Sequence, residues 1–411
     1  MREDFISSYL AYIGESESPT TFHRWSCLAI LGAWLGRRYS FQHGHFTVAS
    51  NLYVMLMGGA GSRKSTAIKI AANLIRKAGY DSIAAERSTK EKFLMDLAGE
   101  GSIEDTKDLM EQNLFGDADH ISELLVAADE FNVFIGNGNI EFLSLLGTLW
   151  DYSGKFEDRK KNSKSLSIVD PTVSILAGNT ATGFSLAFPA EAIGQGIFSR
   201  LILIHGEKTD KRITFPEPPS QDTERLLIDI LHAIRQVASG NAVLSADSKK
   251  MLDAIYKSWR GIEDVRFESY GNRRFSQLLK LCLLCSAAAL RNTIEETDVI
   301  YANTILTHAE HLMPKALGEF GKARNSDVAH KVISLLEAAY EPVTLKVIWK
   351  NVHNDLEDIG VLKDLLANLT IADKVISTKG GFLAKRKVLE ELNTEFVDFT
   401  LLTPEERVFI S

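Results

Sequence analysis

The residues best suited to chemistry lie in the run Gly58-Gly59-Ala60-Gly61-Ser62-Arg63-Lys64-Ser65-Thr66. Its glycines let the backbone curl until several N–H groups converge on phosphate oxygens. Lys64 can then reach the β- and γ-phosphates of ATP, and the Ser65 hydroxyl can hold Mg²⁺. Arg63 stands where the common G-x-x-x-x-G-K-[ST] form has glycine. The plain alternative is a glycine-rich turn before a packed helix, with no ligand. A second element weighs against it. The apolar run Leu124-Leu125-Val126-Ala127-Ala128 ends abruptly in Asp129-Glu130. Burying charge is costly without a partner, so packing alone does not explain two carboxylates at that point. Asp129 would bind Mg²⁺, directly or through water, and Glu130 would orient and polarise the attacking water. Two further candidates are Asn179, able to hydrogen-bond the γ-phosphate or that water, and Arg200, able to reach a neighbouring subunit's nucleotide. On local grounds an Asn before a turn and an Arg before a strand are both commonplace.

These side chains need a scaffold, and the hydropathy pattern predicts one. Leu52 to Met57 is an apolar strand leading into the glycine run, and Ala67 to Ile75 a helix leading out. That helix turns its partial positive charge toward the same phosphates. Tyr80 to Ala85 reads as a second strand, and Ser88-Thr89-Lys90-Glu91 as the cap of a helix over Lys92 to Leu97. Gly99 to His120 is a polar loop or weak helix. The strand ending at Asp129 can neighbour the first in one parallel sheet. Phe142 to Trp150 is a short helix, Pro171 to Leu176 a strand ending at Asn179, and Leu201 to Ile204 a buried strand following Arg200. Lys155 to Ile168 reads as a hairpin with a basic tip. Its Lys155, Arg159, Lys160, Lys161 and Lys164 either face solvent or meet DNA phosphates.

The flanks are helical. Phe5 to Phe41 carries apolar residues at helical spacing, with Arg37 and Arg38 read as a solvated helix end. Pro216-Glu217-Pro218-Pro219 marks a boundary, and Thr223 to Gly318 is helical throughout. Cys282 and Cys285 sit in an apolar helix, where core packing is the expectation. Beyond Gly321 come helices and then Lys374 to Ala384, a hairpin with a Lys-Gly-Gly turn. An acidic, apolar tail follows from Glu390.

Composition sets bounds. At 411 residues the chain holds two or three domains. A formal net charge of −8 excludes a wholly basic, nucleic-acid-coating surface, so any DNA contact is local. Three cysteines make no disulfide framework. No signal-type core or membrane-length apolar run occurs, so the expectation is a cytoplasmic protein with no membrane partner.

Taken together, this order of residues resembles the AAA+ ATPases, and more narrowly the minichromosome maintenance (MCM) helicases and their relatives in phages and mobile elements. Gly58 to Ser65 matches that family's G-x-x-G-x-x-K-S spacing, in which the glycine before lysine is also missing. Asp129-Glu130-Phe131 matches its D-E-F. The Lys155–Ile168 hairpin lies where its pre-sensor-1 hairpin lies, and Ser199-Arg200 matches its S-R finger, with Leu201-Ile202 replacing the usual Phe-Asp. A sensor-2 arginine falls at Arg273 or Arg274. The likeness covers roughly residues 50–320. It implies an α/β P-loop domain with an all-helical lid and a C-terminal winged helix, divided as 1–48 (helical segment), 49–215 (ATPase), 216–322 (lid), 323–388 (winged helix) and 389–411 (tail). It implies an ATP- and Mg²⁺-dependent DNA helicase that assembles as a homo-oligomer, a hexamer by analogy, with other replication proteins as further partners. Against cellular MCM proteins, the resemblance leaves only a short helical segment, residues 1–48, where their large N-terminal domain would be expected. Two alternatives stand beside this: a helicase loader or remodelling ATPase that does not unwind, and a DNA-binding initiator that ATP only switches.

Overall fold

A computed structural model describes residues 4–14, 16–99, 122–158, 166–189, 196–217, 219–318, 328–384 with short gaps, and 396–408. The chain forms two compact units, one of residues 1–320 with 395–411, the other of 321–394.

The first unit opens with α1 (Phe5–Ile13), capped by the Asp4 carboxylate, and α2 (Thr20–Leu35). Every residue of α2 from Thr21 to Leu35 is buried, including Trp25 and Trp34. A helix buried on every side belongs inside a core, and its few polar side chains then need partners there. Accordingly α2 packs on the helix that follows the glycine run, Lys64–Lys77, and on the sheet, so the N-terminal segment belongs to the body of this unit. Two strands, β1 (Tyr39–His43) and β2 (Phe46–Ala49), form a hairpin at residues that periodicity had assigned in part to helix.

The central sheet is parallel throughout. It contains β3 (Tyr53–Met57), β4 (Glu123–Ala128), β7 (Thr172–Asn179) and β8 (Leu201–His205), in the order β4-β7-β3-β8. All of β3 and β7 is buried, as expected of a parallel sheet covered on both faces. Between these strands lie α3 (Lys64–Lys77), α4 (Lys90–Leu97), α5 (Phe131–Ile135), α6 (Ile140–Leu149), the hairpin β5 (Lys155–Asp158) with β6 (Leu166–Val169), and α7 (Ala181–Ala187). The predicted strand at Tyr80–Ala85 is reduced to one bridge, Ile83 to Leu125 on β4. Its polar neighbours Asp81, Ser82 and Glu86 do not sustain a buried strand.

The remainder of this unit is largely helical: α8 (Gln221–Val237), α9 (Ala246–Ser258), α10 (Glu268–Ala288) and α11 (Glu296–Leu317). Short strands β9 (Gly240–Asn241), β10 (Val243–Leu244) and β11 (Thr293–Ile294) tie these helices together and to β1. Cys282 and Cys285 are fully buried on α10, as packing predicts. The stretch read as a tail returns to this unit. Thr403 caps a short helix, α14 (Pro404–Arg407). There Glu406 takes a two-pronged bond from Arg24 of α2, at 2.8 and 2.7 Å, with both side chains buried.

The second unit has its own core of Val332, Leu336, Ile348, Val352, Leu362, Leu366 and Val375. Helices α12 (Leu345–Val352) and α13 (Ile359–Ile371) precede the antiparallel hairpin β12 (Val375–Thr378) and β13 (Gly381–Ala384). No helix among the described residues is long and apolar enough to cross a membrane.

Candidate functional site

The glycine run joins the end of β3 to the start of α3, as its flanks predict. Gly58 is required by close approach, because a Cβ there would stand 2.5 Å from the Gly206 carbonyl and 2.7 Å from Ser62 Oγ. Gly61 and Arg63 both have positive φ, at 80° and 61°. Only the first is glycine, so Arg63 holds a conformation that costs a side chain about 1 kcal/mol or more. Its guanidinium is anchored by Glu17 at 2.5 Å, and Glu17 also accepts from the Ile213 N–H. Gly59, Ala60, Gly61, Ser65 and Thr66 complete the loop and the first turn of α3.

Lys64 Nζ turns back over the loop. It donates to the carbonyls of Gly58 (2.8 Å) and Gly59 (3.0 Å) and to Ser62 Oγ (3.2 Å). Partial burial lowers its pKa, and the negative charge of Glu130 opposes that shift, which brings the two groups into one electrostatic site. Asp129 follows β4 and pairs with Lys69 Nζ of α3 at 2.8 Å. Between Asp129 and Lys64 lies Gly178 of β7. A Cβ there would stand 2.6 Å from the Asp129 carbonyl and 3.4 Å from Lys64 Cβ.

Asn179 is the last residue of β7, in register with Met57 of β3, and is 2% exposed. Its backbone carbonyl accepts from the Gly58 N–H (3.3 Å) and its Oδ1 from the Thr180 N–H (3.1 Å). The Asn179 Nδ2 atom is buried with no partner among the described residues. Three adjacent parallel strands thus bring the loop, both carboxylates and Asn179 to one end of the sheet, the end where α/β folds bind ligands.

The arginines lie elsewhere. β8 pairs with β3 from Tyr53↔Leu201 to Met57↔His205, so Arg200 stands beside the start of β3 and the loop follows its end. At about 3.3 Å per residue the separation is roughly 15–20 Å, beyond the reach of an arginine side chain. Arg200 Nη1 donates to the Gly196 carbonyl and its guanidinium lies 5.7 Å over the Trp150 ring. Burial lowers its pKa, and the charge of Arg273 adds to that shift, so Arg273 shares this end of the molecule. Arg274 is held in the interior. Its Nε donates to Glu310 (2.9 Å) and its Nη2 to Asn303 (2.8 Å), all buried, which leaves Arg273 as the available candidate of the two.

Of the basic hairpin, both strands pair as predicted, from Lys155↔Val169 to Asp158↔Leu166. Lys155 is exposed and pairs with Glu157 at 3.0 Å. Arg159, Lys160, Lys161 and Lys164 lie outside the described residues. Arg37 and Arg38 are not a solvated helix end. Arg37 donates to Thr172 Oγ1 (2.7 Å), and Arg38 pairs with the buried Glu123 (2.9 Å) at the start of β4.

Several residues escaped sequence reasoning. Lys280, in the apolar run of α10, is fully buried. It donates to Asn51 Oδ1 (2.7 Å) and the Ala49 carbonyl (3.0 Å), and pairs with Asp151 (3.0 Å). Gly178, Gly183 and Asn132 line the candidate site and carry no motif signal; only their closeness to Asp129 and Asn179 in sequence hints at it.

Lys64, the tight loop and the unpartnered Asn179 Nδ2 group suit phosphate oxygens. Among the described residues no cluster of three or more His, Cys, Asp or Glu could hold a metal alone. Compared with known proteins, the chain matches no family model and no curated protein.

Proposed function

We propose that the chain is an ATP-driven DNA helicase of the AAA+ type, resembling the MCM-like helicases of phages and mobile elements, and that it works as a ring, most simply a hexamer. In this reading α8 to α11 form the helical lid and the second unit is a winged helix. One observation carries the proposal. The loop, Asp129, Glu130 and Asn179 meet at one end of the sheet, whereas Arg200 and Arg273 lie at the other. Such a chain is incomplete alone, and head-to-tail assembly would bring one subunit's arginines to the next subunit's nucleotide.

Bound Mg-ATP supplies the phosphoanhydride whose hydrolysis drives movement. Lys64 exchanges the Gly58 and Gly59 carbonyls for phosphate oxygens. Ser65 and Asp129 would hold Mg²⁺, which would take the place of Lys69 beside the Asp129 carboxylate. Glu130 accepts the proton of the attacking water, and Asn179 directs its Nδ2 hydrogens at that water or the γ-phosphate. Ring assembly would turn the β5–β6 hairpins toward a central channel, which reconciles an acidic protein with a grip on DNA phosphates. That grip would be salt-sensitive and indifferent to sequence.

The test is ATP hydrolysis and forked-duplex unwinding measured together, wild type beside Lys64→Ala. Unwinding that needs Lys64 is the expected result. Hydrolysis without unwinding would favour a loader or remodelling ATPase, and no hydrolysis would overturn the proposal.

A further inference from the structure

Two carboxamides converge at the end of β7. A Cβ on Gly183 would stand 2.1 Å from Asn179 Oδ1 and 3.2 Å from Asn132 Oδ1. Both side chains therefore press on one point of α7. Asn179 Oδ1 is already used by the Thr180 N–H. That bond fixes which end of the amide is which and leaves the Nδ2 group as the end carrying hydrogens to give. Nδ2 is buried without a partner, and so is Asn132 Oδ1, an acceptor on the neighbouring short helix α5. A buried donor and a buried acceptor left unpaired each cost about 1–3 kcal/mol, and a role at a reacting centre is one reason for a structure to retain such a pair. Asn132 follows Glu130 by two residues, so it rides on the same turn as the proposed base.

Resting on the proposed ATPase reading, we propose that Asn132 is a positioning residue for Asn179. As the site closes on nucleotide, Asn132 Oδ1 accepts one Nδ2 hydrogen of Asn179. The second hydrogen is then held in a fixed direction toward the attacking water or the γ-phosphate. Asn132 touches neither reactant; it acts through Asn179, and through α5 it links that aim to the position of Glu130.

Single-turnover ATP hydrolysis and the affinity of a fluorescent ATP analogue test this on the full-length protein, for wild type, Asn132→Ala, Asn132→Asp, Asn179→Ala and the double alanine variant. Asn132→Ala should slow hydrolysis about tenfold or more, since small misplacements near the chemistry are costly, and leave nucleotide affinity within about twofold of wild type. Asn132→Asp, which keeps the acceptor oxygen, should retain most of the rate. The double variant should be no slower than Asn179→Ala, because a residue that acts only through Asn179 has nothing further to lose. Losses that multiply, or an Asn132→Ala protein that hydrolyses normally, overturn the positioning role while the ATPase reading stands. A wild type that neither binds nor hydrolyses ATP overturns both.

Discussion

Replacing Gly183 by alanine tests the candidate site with one methyl group. Gly183 lies within α7 and its φ is not positive, so the backbone accepts alanine without strain. On propensity alone the change should stabilise the helix by about 0.5–1 kcal/mol. The new Cβ, however, would be 2.1 Å from Asn179 Oδ1. An ordinary contact is more than 1 Å longer, at roughly 3.4 Å or beyond. Asn179 is 2% exposed and anchored in β7, so its amide rather than its backbone must yield, by about 1 Å. A shift of that size near the chemistry costs about 10²-fold in rate. The displaced amide also surrenders its bond from the Thr180 N–H, worth about 1 kcal/mol, which cancels the helix gain. The expected protein therefore has near-normal Tm and nucleotide affinity with a hydrolysis rate about a hundredfold lower. Stopped-flow hydrolysis, analogue binding and thermal unfolding on one preparation measure all three. In an Asn179→Ala background the same substitution should cost nothing more. A Gly183→Ala protein with normal hydrolysis and raised Tm would refute the role given to the Asn179 amide.

Other outcomes follow from the same geometry. Glu130→Gln should bind ATP and fail to turn it over, and normal steady-state turnover would remove Glu130 from the catalytic role. Arg200→Ala, mixed in increasing proportion with wild type, should depress ATPase more steeply than its share of subunits; a strictly proportional loss would mean that Arg200 acts within its own chain. Glu406→Ala leaves Arg24 buried without its carboxylate and should cost about 3–5 kcal/mol by urea unfolding, while the joint change Arg24→Met with Glu406→Leu should recover most of it. Burial pushes the His23 imidazole down from 6.5 to about 4. Between those values the unfolded chain binds a proton that the native one refuses, so stability falls as pH drops through the window, by on the order of 3 kcal/mol. His205 and His308 are shifted in the same direction. Thermal unfolding from pH 7 to 4 should show a shallower slope for His23→Gln, and an unchanged slope would exclude the histidine as its source.

Much of this protein is local, and what is local was legible. The glycine run between an apolar strand and an apolar helix, the paired strands around the Lys155–Ile168 stretch and the buried cysteines each depend on spacing within a few residues. Short periodic runs bordering several neighbours were less so. Tyr39–His43 alternates enough to be a strand but adjoins a long helix, and Tyr80–Ala85 has strand-like composition but pairs only once.

Only the tertiary structure could decide which charges face solvent. Arg37, Arg38, Arg274 and Lys280 are basic residues that sequence pattern leaves at helix surfaces or in apolar runs, yet each is held by partners about 30 to 230 positions away. The return of Glu406 to Arg24, 382 residues apart, is of the same kind. A buried ion is tolerable only where the fold supplies its counter-charge or acceptor, and no local pattern encodes that meeting. The sequence by itself determined the strand, the glycine-rich turn and the helix around Lys64, because their signals are set by neighbours along the chain. The tertiary structure decided that Asn132, Gly178 and Gly183 crowd around Asn179 and that Arg200 lies a strand's length from Lys64, because strand order and register are settled by long-range packing.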